Sequence, residues 1–191
     1  MTRTSFGLGV AGVALSLLVV AHLGADQAAP KPAAAAAPAA AAGPVLLMDT
    51  AKGPIEIQTM NEAPKSVAHI LDLVKKNFYR GQRVFYVQPY AIQFGDPNTR
   101  DVSKADFWGQ GGSGQSIGVA EPGKGKFERG SVGLAYRSGE KPTSADSQLF
   151  ILKVAQPSFT GKYSLIGKVT KGMEIVDKIE AKDIIKNITI K

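Results

Sequence analysis

The stretch Val45–Thr59, VLLMDTAKGPIEIQT, decides how the rest of the chain is read. Ile55 and Ile57 alternate with Glu56 and Gln58, so one face of this segment seeks a core and the other water. Val45–Thr50 and Pro54–Thr59 are strand-like, and Ala51-Lys52-Gly53 between them is a hairpin-type connection. Downstream the period changes. Pro64 stands where a first helical residue belongs, and Val67, Ile70, Leu71 and Val74 come after it at helical spacing. Asn77, just after Lys75-Lys76, is a stop signal. Strands are expected at Arg83–Val87, Tyr90–Phe94, Gly130–Tyr136, Gln148–Val154 and Tyr163–Val169. A second helix is expected at Met173–Ala181, with Ile184–Ile190 closing as a strand. Many short strands with two helices predict a mainly β fold, a closed or nearly closed barrel with helices covering its ends.

Upstream of Val45 the composition is different. Phe6–Ala25 holds no formally charged residue and comes after Arg3, the pattern of a secretion signal or a single membrane anchor. Either reading exports the downstream domain to a periplasm or cell envelope. Residues 26–44 are dominated by Ala and Pro. Pro30, Pro32 and Pro38 break helix while Ala offers little to bury, so this is a semi-stiff tether. The division is therefore 1–25 signal or anchor, 26–44 linker and 45–191 folded domain.

Composition narrows the chemistry. The 191 residues include no cysteine, which excludes disulfide scaffolds, thiolate metal sites and thiol nucleophiles. Two histidines leave little for a His-based metal centre. The formal charge of +7 would suit an acidic partner, but no aromatic-interleaved basic stripe points to nucleic acid. Between Pro97 and Arg129 periodicity fades. Gly109-Gln110-Gly111-Gly112-Ser113-Gly114 lacks the Gly-Lys-Ser/Thr of a phosphate loop, so a flexible connection between strands is expected there. His69 is expected on the helix surface or partly buried, without a catalytic role.

The order of the motifs is specific. Phe78-Tyr79-Arg80-Gly81, Gln93-Phe94-Gly95-Asp96-Pro97, Asp146-Ser147-Gln148-Leu149-Phe150-Ile151, Gly161-Lys162-Tyr163, Gly167-Lys168-Val169 and Gly172-Met173-Glu174-Ile175-Val176-Asp177 together resemble the cyclophilin family. The resemblance covers Val45 to Lys191. It implies a closed eight-stranded antiparallel barrel capped by two α-helices, and peptidyl-prolyl cis–trans isomerase activity. X–Pro bonds rotate slowly, over roughly tens to hundreds of seconds, because the amide is partly double-bonded. As the amide twists, its nitrogen becomes a better hydrogen-bond acceptor. A catalyst then needs an apolar grip on the proline ring and a donor aimed at that nitrogen. No cofactor and no metal are implied, and the implied partner is a proline-containing polypeptide segment bound by a monomer.

By this resemblance Gln93 and Gln148 hydrogen-bond substrate backbone, and Phe150 floors the proline pocket. Tyr90 takes the place of a pocket phenylalanine and Ala91 that of a methionine. The Ala91 change weakens apolar grip by roughly 0.8 kcal/mol per lost CH₂. Phe159 and Tyr163 match rim positions, while Ala135 and Tyr136 match a segment offering backbone contacts. Gln148 has a plainer alternative, that of satisfying backbone groups. The departure is at Val84-Phe85-Tyr86-Val87, where Tyr86 occupies the position of the family's catalytic arginine. Strand alternation puts Arg83 and Tyr86 on opposite faces, which disfavours Arg83 as a substitute. Arg137 is a second candidate. A neutral phenol forms a weaker bond than a guanidinium, so reduced activity is expected, with a peptide-binding or chaperone module of low turnover as the alternative.

Overall fold

A computed structural model describes residues 42–137 and 139–191. The signal or anchor expected at 1–25, and the linker up to residue 41, lie outside the described residues. Among those described, no helix is long and apolar enough to cross a membrane.

The deciding hairpin is β1 (Ala42–Thr50) and β2 (Gly53–Met60), paired antiparallel with Met48 opposite Ile55 and Leu46 opposite Ile57. All four side chains are buried, which fixes the register, since a one-residue slip would turn them to water. Thr50 secures the turn: its hydroxyl donates to the Gly53 carbonyl at 2.7 Å and accepts from the Lys52 and Gly53 amides. β1 starts at Ala42, three residues inside the stretch read as tether. The reason is lateral bonding, for Thr59 Oγ donates to the Pro44 carbonyl at 2.7 Å and the Gln58 amide to that of Gly43.

Helix α1 (Pro64–Lys75) buries Val67, Ile70, Leu73 and Val74. Its free N-terminal amides have no local cap. Glu121, distant in sequence, accepts from Ser66 N and Ser66 Oγ, each at 2.7 Å, and from Lys65 N at 3.2 Å. The helix ends where Asn77 takes φ of 54°, as its stop signal predicts. The remaining elements are β3 (Tyr86–Val87), β4 (Ala91–Phe94), β5 (Ser131–Leu134), β6 (Leu149–Leu152), β7 (Ser164–Lys171), α2 (Met173–Lys178) and β8 (Ile185–Ile190). The eight strands form one antiparallel sheet in the order β3-β4-β6-β5-β7-β2-β1-β8. α1 packs on β2, β7 and β8, and α2 on β2.

β3 is shorter than the five residues expected because the chain divides its bonds. Phe85 N and Tyr86 turn to β4, whereas Val84 N donates to Asp183 O at 2.9 Å and Lys182 N to Val84 O at 2.8 Å. Arg83 forms an isolated bridge with Ile184, so this strap joins the two outer strands of the sheet.

Strand alternation then builds two apolar clusters on opposite faces. Ile92 and Phe94 of β4 and Leu149 and Ile151 of β6 enter the main core with α1. Ala91 of β4 and Phe150 and Leu152 of β6 enter a smaller cluster with Phe127, Ala135 and Leu165. That second face carries the site.

Candidate active site

The second cluster opens into a cavity of about 140 Å³ lined by Tyr86, Tyr90, Ala91, Gln93, Ala135, Tyr136, Phe150, Phe159 and Tyr163. These are nine of the ten residues singled out from the sequence, and the tenth, Gln148, lies directly behind Gln93. The volume is under half the roughly 300 Å³ at which small-molecule sites begin, and it suits one side chain.

Aromatic rings make its walls. Phe150 meets Phe159 edge-on at 5.6 Å between centroids and Tyr163 edge-on at 5.2 Å. Tyr163 stacks on Tyr136 at 5.1 Å. Phe127 backs both Phe150, at 5.9 Å, and Phe159, at 6.1 Å. Sequence reading passes over Phe127, which falls in the aperiodic stretch, although a lone phenylalanine among glycines and lysines is a usable signal. Gly133 escapes it as well. It lies opposite Phe150 in the β5–β6 ladder, and a Cβ there would stand 2.2 Å from the ring. The floor of the cavity exists because β5 has no side chain at that point.

The polar side is built by β3 and β4. Tyr86 pairs with Gln93 across the ladder. The Tyr86 and Tyr90 hydroxyls lie 2.9 Å apart, within hydrogen-bond reach. That bond raises the Tyr90 pKa above the ordinary phenol value, and burial raises that of Tyr163, so both remain neutral hydroxyls. Gln93 Nε2 donates to Gln148 Oε1 at 2.8 Å. Gln148 Nε2 donates in turn to the carbonyls of Gly109 at 2.9 Å and Gly111 at 2.8 Å. Both amide hydrogens of this buried glutamine are therefore engaged inside the protein, as in the plainer alternative, and Gln93 is the one facing the cavity.

The glycine-rich segment held by Gln148 is not the loose connection expected from sequence. Asp96, fully buried, accepts from Asn98 N at 2.8 Å, Gly109 N at 2.6 Å and Gly111 N at 3.0 Å. Asp146 accepts from Ser113 Oγ and from Gly114 N at 3.0 Å, and lies 3.3 Å from His69 Nε2. Glycine is needed because the carboxylates press so close: a Cβ at Gly111 would sit 2.1 Å from Asp96 Oδ1, and one at Gly112 2.5 Å from Asp146 Oδ2. His69 is partly buried, within the range expected of it, and its partner is this loop anchor.

Neither alternative arginine enters the aromatic cavity. Arg83 points to the other end of its strand, donating through Nη1 to Lys182 O at 3.0 Å. Arg137 borders an adjoining recess with Gln93 and Gln148, and its guanidinium is directed to Glu140 at 3.4 Å. Among the described residues, no cluster of His, Cys, Asp and Glu is arranged to hold a metal ion.

Comparison with known proteins gives the class. Residues 45–191 match the family described as cyclophilin type peptidyl-prolyl cis-trans isomerase/CLD. A probable peptidyl-prolyl cis-trans isomerase of Brucella abortus (strain 2308) is 40% identical over 122 residues, covering 62% of this chain and 61% of the relative. The chain thus spans about three fifths of the length of that relative. A peptidyl-prolyl cis-trans isomerase of Arabidopsis thaliana is 26% identical over 147 residues, covering 71% of this chain and 80% of the relative. Among solved structures, a cyclophilin type isomerase of Cryptosporidium parvum superposes with a TM-score of 0.65 at 24% identity, over 78% of this chain and 97% of the other. The same protein solved in the presence of the dipeptide Ala-Pro gives 0.64, at 24% identity over 77% and 98%. The chain belongs to the cyclophilin-type peptidyl-prolyl cis-trans isomerase family.

Proposed function

We propose that this protein is a peptidyl-prolyl cis–trans isomerase that turns X–Pro bonds in unfolded or flexible polypeptide segments and so assists folding. One observation supports this best: an aromatic cavity sized for one side chain stands beside Gln93, whose amide is fixed by Gln148. The proline ring enters over Phe150, against the edge formed by the touching rings of Phe159 and Tyr163. Gln93 offers the substrate backbone its Oε1 as acceptor and its second Nε2 hydrogen as donor, the first being held by Gln148. Ala135 and Tyr136 line the cavity next to Gln93, where their backbone can meet an extended peptide. Such fixed dipoles need no reorganisation as the amide twists, and that lowers the barrier. The same reading treats the curled sheet as a barrel wall closed at Arg83 and Ile184, with α1 and α2 at its openings. It also takes residues 6–25 as a signal or membrane anchor and 26–44 as the tether, with a monomeric domain working at the cell envelope.

A second reading, a binding module with little turnover, is favoured by Tyr86, which brings no positive charge to the cavity. A protease-coupled assay on a proline tetrapeptide separates the two. The isomerase reading expects a rate above background that falls when Phe150 is replaced by Ala. Peptide binding without any rate enhancement would establish the second reading instead.

A further inference from the structure

Isomerisation requires a donor at the prolyl nitrogen, and the family's arginine is absent from this cavity. Two phenols stand there instead. Tyr86 faces Gln93 across the β3–β4 ladder, and its hydroxyl lies 2.9 Å from that of Tyr90. Both line the aromatic cavity, and Tyr86 is 38% exposed, so its hydroxyl is open to a substrate. Two hydroxyls have two hydrogens, and only one of them is used between the oxygens. The other is free.

We propose that Tyr86 is the hydrogen-bond donor to the prolyl nitrogen, and that Tyr90 is a positioning residue that donates to the Tyr86 oxygen and turns the remaining hydrogen into the cavity. This rests on the isomerase reading above. A hydroxyl that accepts a hydrogen bond becomes a stronger donor, because each bond in a chain polarises the next. The pair thereby recovers part of what a neutral group loses against a guanidinium. No proton is transferred: the bond to nitrogen forms as the amide twists and is released when planarity returns. Tyr90 replaces an aromatic residue that would have filled the same wall without a hydroxyl, so its oxygen is the new element. Arg137 is the competing donor, but it borders the adjoining recess and is directed to Glu140.

The test is a double-mutant cycle on the full chain with Tyr86→Phe, Tyr90→Phe and the double variant. Proline-tetrapeptide isomerisation, peptide binding and thermal unfolding are measured for each. Phenylalanine keeps each ring, so folding and peptide Kd are expected to stay near wild type. Tyr86→Phe is expected to lower kcat about tenfold, the scale of one neutral hydrogen bond. Tyr90→Phe is expected to lower kcat severalfold with KM unchanged, and to have no further effect once Tyr86 is Phe. A merely structural Tyr90 would lower stability and act equally in both backgrounds, which overturns the pairing while leaving the isomerase reading intact. Unchanged kcat in Tyr86→Phe together with a loss in Arg137→Ala assigns the donor to Arg137 and overturns the proposal. A wild-type protein without activity above background overturns the isomerase reading itself.

Discussion

Gln93 and Gln148 form a 2.8 Å amide-to-amide bond that ties the cavity to the glycine-rich segment, since Gln148 also donates to the Gly109 and Gly111 carbonyls. Gln148 therefore works from behind. Gln148→Glu places a carboxylate against two carbonyl oxygens, where it can no longer donate. It is expected to raise hydrogen exchange at the Gly109 and Gly111 amides and to reduce kcat/KM at least tenfold. A phenotype confined to peptide KM, with exchange unaltered, would show that Gln148 contacts substrate directly.

Gly133→Ala tests the floor. The added Cβ would stand 2.2 Å from the Phe150 ring, and the ring can yield only toward the cavity. Overpacking of this kind costs about 1–3 kcal/mol. Stability should fall within that range while affinity for proline peptides is lost. Retained affinity would mean that the ring has another way to move.

Tyr86→Arg restores a charged donor opposite Gln93. Charge-assisted bonds are about twice as strong as neutral ones, so kcat should rise roughly tenfold despite loss of the Tyr90 contact. An unchanged or lower rate would mean that a guanidinium on β3 does not reach the prolyl nitrogen.

Alkaline pH should unfold the protein before it changes the site. Burial drives the Tyr79 pKa far upward, and its hydroxyl donates to Ser147 O at 3.0 Å. The unfolded chain releases that proton near pH 10 while the folded one keeps it, so the contribution of Tyr79 to stability is constant below about pH 10 and declines above it. Urea midpoints across pH 7–11 measure this, and Tyr79→Phe should flatten the decline. The isomerase rate should be level from pH 6 to 9, because the raised values of Tyr90 and Tyr163 keep both phenols neutral.

What is legible in the sequence divides along a physical line. Alternation at Ile55 and Ile57 and helical spacing at Val67, Ile70 and Val74 report burial directly, and those elements lie where expected. The site residues are legible because β4 and β6 alternate: once Ile92 and Ile151 belong to the core, Ala91, Gln93 and Phe150 must share the other face. The stretch from Pro97 to Arg129 obeys no such rule. Its order comes from Asp96 and Asp146 bonding to backbone amides, and side-chain-to-backbone bonds leave no hydrophobic period. The same blindness hides Phe127. Nor does any pattern reveal that Gln148 gives both amide hydrogens to the Gly109 and Gly111 carbonyls, since its identity suits both a substrate contact and a brace.

β1 is an interior strand, flanked by β2 and β8, with Leu46 opposite both Ile57 and Ile190. A chain pulled from Ala42 along the strand axis is drawn at right angles to the hydrogen bonds on both edges, so they resist in shear and yield together rather than one at a time. Tension arriving from that side thus meets a strand loaded in shear on both of its edges. The cavity is built on β6, β4 and β3, and the segment leading into β3 is tied back to the β8 side by the Arg83–Ile184 bridge.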